Sequence, residues 1–251
     1  MLNIQPKQLA LFLVKIVGLL VLANCLALVA IYHLQDDYLG GFVPLFDLDH
    51  EKNLPTLFST VLLLICSGLL AMIYVGHSQK RQTCRLWLML AVVFLFLAMD
   101  EFVAIHEHIS SPIRHLISAS GVFFFAWVIP YGVLMLILAA AYGRFVLELP
   151  AAPRLLFIIA FVTYIGGALG MEMLGGRYYE MHRSQPTLTY SVLATIEETL
   201  EMVGLIVFIY SLMLYIEQVQ KGLKLQLAGP TLDVEAPRLI GTQIKLVKSA
   251  G

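Results

Sequence analysis

The sequence predicts an all-α fold: a polytopic helical membrane bundle of about six transmembrane helices. Three observations carry this. Of 251 residues, 59% are hydrophobic and only 13% charged, where a soluble domain has roughly 25% charged residues. The apolar residues are gathered into runs close to the ~20 needed to cross the hydrocarbon as a helix. Lipid offers the backbone no hydrogen-bonding partner, so such runs must satisfy their own polar groups and be helical.

The first span is read at 8–33. Lys7 ahead of an apolar stretch resembles a secretory signal, and Leu22-Ala23-Asn24-Cys25 is an imperfect lipoprotein cleavage box. The apolar run nevertheless continues through Tyr32, too long for a signal core, so the span is expected to be retained; cleavage would leave five. A polar segment, 35–53, carries Asp36, Asp37, Asp47, Asp49, His50 and Glu51. Span two, 55–76, opens on Pro55, a residue suited to a first helical turn. A basic loop with Lys80, Arg81 and Arg85 leads to span three, 86–109, which is expected to end before Ser110-Ser111-Pro112. Span four, 122–147, contains Pro130, where a kink is expected. Pro150 and Pro153 separate it from span five, 155–176, whose Gly166 and Gly170 form a GxxxG expected to pack closely on another helix. The loop from Arg177 to Pro186 precedes span six, 188–216. Residues 1–220 thus form the transmembrane domain, and 221–251 a polar cytoplasmic tail with no predicted order.

Basic residues orient the bundle. Lys7, Lys80, Arg81, Arg85, Arg144, Arg154, Lys221 and Lys224 fall on one side; Lys52, Arg114, Arg177 and Arg183 fall on the other. The positive-inside rule then places both termini inside, N-in and C-in, in a plasma (inner) membrane. Of 17 acidic residues only Glu148, Glu217, Asp233 and Glu235 fall inside, and of seven histidines only His77. The outer half is therefore an acidic, imidazole-bearing face that attracts cations.

Several function classes drop out. A net charge of -1 without a basic cluster gives no footprint for nucleic acid. Cys25, Cys66 and Cys84 are an odd set without paired spacing, expected as free thiols. The chain has no glycine-rich nucleotide loop, no serine-nucleophile elbow and no CxxC, which argues against ATP-driven, serine-hydrolase and thiol-redox chemistry.

The informative residues are acids inside the spans. On one helix running through 86–109, Asp100, Glu101, Ala104, Glu107 and His108 share an arc of roughly 120°, with His106 pointing elsewhere. Asp100 then lies about 13 Å from the outer end. In span six Glu197, Glu198 and Glu201 share an arc of about 100°, and Glu197 and Glu198 lie about 14 Å deep. Span five adds Glu172 near its outer end. No Lys or Arg stands at that depth in spans three to six, and Lys15 in span one belongs nearer the inner side. Carboxylates near the bilayer centre cost ~2.5 kcal/mol or more each, so they face a protein interior. They are either protonated or neutralised by cations.

Carboxylates and imidazoles on facing helices are how dinuclear carboxylate metal sites are built. The expected ligands are Asp100, Glu101, Glu107, His108, Glu172, Glu197, Glu198 and Glu201, holding one or two divalent ions. Iron, manganese or zinc suits that donor set. The usual Glu-x-x-His spacing is missing, so the likeness is to a type of chemistry. His106, His115 and His182 read as solvated interfacial residues, and Tyr178, Tyr179 and Tyr190 as interfacial aromatics. Asp47-x-Asp49-x-Glu51-x-Asn53 starts like a calcium loop, but Lys52 stands where the glycine belongs and Phe58 at the twelfth position. The EF-hand reading therefore fails, leaving a looser cation site or a lid over the cluster.

The leading expectation is a membrane metalloprotein, and if an enzyme, a metal-dependent oxidoreductase or hydrolase acting on a lipophilic substrate from the bilayer. A second reading is cation or proton-coupled transport through the same carboxylates. It draws on the acidic dipeptides Asp100-Glu101 and Glu197-Glu198 as the mark of an inverted three-plus-three repeat. A third is a structural subunit of a membrane complex.

Overall fold

Each apolar run folds as helix. The structure is a computed structural model describing residues 5–76 and 83–219. In chain order the helices of more than ten residues are α1 (Pro6–Leu34), α2 (Leu54–Gly76), α3 (Thr83–Val103), α4 (Ile105–Ile117), α5 (Val128–Leu147), α6 (Ala151–Met181) and α7 (Leu188–Val219). All but α4 are long and apolar enough to cross a membrane. The described residues contain no strand, so the all-α, six-span reading holds. The tail 221–251, together with His77, Lys80 and Arg81, lies outside the described residues.

The bundle is organised on α7, which packs against α1, α2 and α6. Its buried face runs through Met202, Leu205, Ile206, Ile209 and Leu212, and meets Leu62, Leu63, Cys66 and Leu70 of α2. Trp87 of α3, fully buried, ties four helices together: its ring lies 4.9 Å from Phe145 of α5, 6.1 Å from Phe157 of α6 and 4.8 Å from Tyr215 of α7. Polar side chains stitch the same crossings. Ser67 donates to the Ala91 carbonyl at 2.8 Å, and Ser211 to that of Pro153 at 3.0 Å.

The close crossing of α6 and α7 rests on glycines other than those of the GxxxG. A Cβ at Gly204 would lie 2.8 Å from the Tyr164 backbone nitrogen, and one at Gly167 would lie 2.8 Å from the Glu197 carbonyl oxygen. Gly166 and Gly170 meet nothing within 4 Å. The reason is local: Gly166–Met171 is a π-helical segment, and its wider turn re-phases the face that α6 presents.

Other boundaries shift for identifiable reasons. Span three is not one helix to residue 109. It breaks at Ala104, left-handed at φ 59 and ψ 47, and restarts as α4, which runs on through Ser110, Ser111 and Pro112 to Ile117. Pro130 does not kink a helix centre. It sits in the first turn of α5, which starts at Val128, where a proline removes no intrahelical hydrogen bond. Pro153 likewise lies in the first turn of α6 rather than in a separating loop, and the helix continues past 176 to Met181.

Candidate metal centre

At one end of the bundle α3, α4, α5, α6, α7 and the segment preceding α2 line a cavity of about 310 Å³. Seven of the eight predicted ligands line it: Asp100, Glu101, Glu107, Glu172, Glu197, Glu198 and Glu201. His108 does not. It is exposed, and its Nδ1 turns back to the Ala104 carbonyl. His106 takes the place expected of it and lines the cavity.

The break at Ala104 causes this exchange. A left-handed residue interrupts the i→i−4 ladder and rotates everything after it relative to α3, so an arc drawn across 100–108 no longer applies. The freed backbone N–H of His106 is captured by Asp100 Oδ1 at 2.9 Å. Asp100 Oδ2 lies 3.4 Å from His106 Nδ1. Asp100, expected as a ligand, therefore turns both oxygens toward His106, with the Tyr131 hydroxyl as a further partner. It fixes the ring so that Nε2 faces away from it, 3.9 Å from Glu51 Oε1. A carboxylate holding one imidazole nitrogen while the other points at further acids is the usual arrangement behind a metal-binding histidine. The ring is also held by Trp127, 4.8 Å away centre to centre, whose indole N–H donates to Glu172 Oε1 at 2.7 Å.

Ligand atoms of Glu51, His106 and Glu107 lie within 4.8 Å of one another. The second oxygen of Glu51, Oε2, is buried and has no hydrogen-bond partner. A buried carboxylate oxygen left so costs on the order of 1–3 kcal/mol, more when charged. A bound cation would remove that cost, so the donor set and the orphaned atom both fit a divalent ion.

Spacing alone places Glu51 only in a loose acidic loop. The structure folds that loop over the cavity, with Leu48, Asp49, His50 and Glu51 in its wall. Three devices hold it there. Buried Asn24 of α1 accepts the Leu48 N–H at 2.9 Å and donates to Thr195 Oγ1 of α7 at 2.8 Å. Asp47 accepts the Asp49 N–H at 3.1 Å and pairs with His50 at 3.0 Å. Asn53 donates to the carbonyls of Asp47 at 2.6 Å and His50 at 2.7 Å, and its Oδ1 accepts from the Thr56 backbone and hydroxyl. Lys52 adopts φ 65, the left-handed turn for which an EF-hand uses glycine.

Asn53→Ala is expected to cost about 2 kcal/mol locally, summing a lost helix cap and two unserved carbonyls. Amide exchange of residues 47–53 should then rise roughly 30-fold. Unchanged exchange would show that the loop is held by other contacts.

The electrostatics of the loop favour positive charge in the cavity. Burial, then the charge of Asp47, pushes the Asp49 carboxyl up to about 7. Burial also raises Glu51, and Glu107 adds to the effect. For His106, burial acts to lower the value, but the hydrogen bond and charge of Asp100, joined by Glu51 and Glu107, prevail and raise it. The acids that raise His106 would equally draw a cation to the cavity.

Comparison with known proteins adds one finding. A family model described as Domain of unknown function (DUF8692) matches residues 12–216. The chain belongs to that family. The matched stretch begins within α1, ends within α7 and contains every cavity residue of the DUF8692 domain named above. No curated protein and no solved structure matches the chain.

Tyr131, Tyr164 and Tyr190 also line the cavity. Their hydroxyls lie beside Asp100, Glu201 and Asp49 respectively. Tyr190 was expected as an interfacial aromatic, and its position on the arc of Glu197 and Glu201 was the available signal for its place here.

Proposed function

We propose that this membrane-spanning protein is a metalloprotein that holds one or two divalent ions in the carboxylate cavity. The observation that carries it is the trio Glu51, His106 and Glu107, with ligand atoms within 4.8 Å of one another and Glu51 Oε2 otherwise unpartnered. In this reading Asp100 orients His106, and a second ion would draw on Glu101, Glu197, Glu198 and Glu201, with Glu172 at the side. Among the described residues the cavity acids form ion pairs only with His106, and bound cations would neutralise those that ionise. Carboxylate and imidazole donors suit iron, manganese or zinc. When bound, such an ion supplies Lewis acidity to a water molecule or to an oxygen atom of a lipid-soluble substrate. The chain's own residues then position that substrate and limit water.

Metal analysis of detergent-purified protein tests this. Wild type is expected to carry one or two equivalents of a transition metal, and the Glu101→Gln, Glu198→Gln double variant to lose at least one where two are bound. Metal-free wild type that also fails to take up iron, manganese or zinc would sink the reading. Proton or cation movement through the same carboxylates would then be the function to test, by flux in proteoliposomes.

A further inference from the structure

The carboxylate cavity has an apolar neighbour. A second cavity, of about 410 Å³, lies between α3, α5, α6 and α7. Its walls are aliphatic and phenyl groups, with hydroxyls only from Tyr142 and Tyr164. Tyr142 already donates to the Leu86 carbonyl at 2.9 Å. Tyr164 stands in both cavities, as do Leu97, Met135 and Ile165, so the two spaces share one wall. From Met135 to Leu147 the apolar space follows α5 for about 18 Å at 1.5 Å per residue. Exposed Leu147, Ile158 and Phe161 form its rim on membrane-spanning helices, where the neighbouring medium is hydrocarbon.

An apolar space of this kind does not hold water. One that opens to lipid is filled from the lipid. Its volume falls in the range of ligand cavities, and its elongated course along α5 suits one hydrocarbon chain. At the border it shares with the first cavity stands Tyr164, with the carboxylates beyond.

We propose that this cavity binds the hydrocarbon chain of a single-chain amphiphile drawn from the bilayer. The molecule's oxygen-bearing end, a hydroxyl or carboxyl group, is set beside Tyr164 in the carboxylate cavity. The choice of an oxygen-bearing end rests on the metalloprotein reading; the chain site stands on the cavity alone.

Photolabelling with hexadecanol carrying a chain diazirine tests it, on purified protein in three forms. Wild type should show adducts concentrated on 90–97 and 157–165. The Ala139→Phe, Gly143→Phe variant fills the channel; a Cβ at Gly143 meets nothing within 4 Å, so the ring enters open space. Labelling should fall at least about tenfold, equivalent to ~1.4 kcal/mol of lost binding, with metal content unchanged. The His106→Ala variant should bind metal at least about 100-fold more weakly and keep the labelling, so failure of one reading leaves the other visible. Adducts spread evenly over the lipid faces of all helices would overturn the proposal, as would labelling unaffected by the two phenylalanines. A change of oligomeric state in the filled variant, without loss of labelling, would assign this face to another protein's helix instead.

Discussion

His106→Ala is expected to lower the divalent-metal affinity of the purified protein by at least about 100-fold, while His108→Ala leaves it within about twofold. Partners that merely orient a ligand are typically worth 10–100-fold, so loss of the ligand itself belongs at or above that range. Asp100→Asn should fall within it. The amide keeps an oxygen to accept the His106 N–H, but loses the charge that holds the ring's Nδ1–H. Competition against a chromophoric chelator measures all three on one scale. The two histidines differ in one structural respect that matters: Nε2 of His106 lies 3.9 Å from Glu51, whereas His108 is exposed with its Nδ1 turned to its own helix. The reverse ranking would mean that α3 continues unbroken past Ala104 and that the continuous helical arc describes the site.

That contrast also shows where the sequence stopped being legible. The six spans could be read because hydrophobic length is a bulk property that no single residue overturns. The gathering of Asp100, Glu101, Glu197, Glu198 and Glu201 followed from helical phase and from the cost of isolated carboxylates in lipid. The break at Ala104 left no mark, because alanine is the best of helix formers and glycine is the usual sign of a left-handed residue. Placing a Cβ there costs roughly 1–2 kcal/mol, and the bond from the His106 N–H to buried Asp100 offsets it. That bond spans six residues and joins a feature read as a ligand to one read as solvated. The loop was similar. Its acids were plain in the sequence, but its fold over the cavity depends on Asn24 reaching Leu48 and Thr195, and periodicity says nothing about partners 24 and 171 residues away.

Gly204→Val should separate α6 from α7 and cost the bundle about 3 kcal/mol or more. Overpacking usually costs 1–3 kcal/mol when side chains can yield. Here the added Cβ would lie 2.8 Å from the Tyr164 backbone nitrogen and 3.0 Å from its Cα, so a helix must move instead. Movement at this crossing would displace Tyr164, which stands at the junction of the two cavities, and α7 carries Glu197, Glu198 and Glu201. Both proposed sites should therefore weaken together. The chain supplies its own reporter. Cys66 is fully buried, with its sulfur 4.0 Å from the Leu205 carbonyl next to Gly204, whereas Cys25 is exposed. In wild type a membrane-permeant maleimide should spare Cys66; in Gly204→Val it should modify it. Gly166→Ala and Gly170→Ala, which meet nothing within 4 Å, should leave Cys66 protected, because alanine in a helix is no worse than glycine. Protection of Cys66 in Gly204→Val at the wild-type level would show that α7 does not cross α6 at this glycine. Exposure in the two alanine variants would return the close packing to the GxxxG.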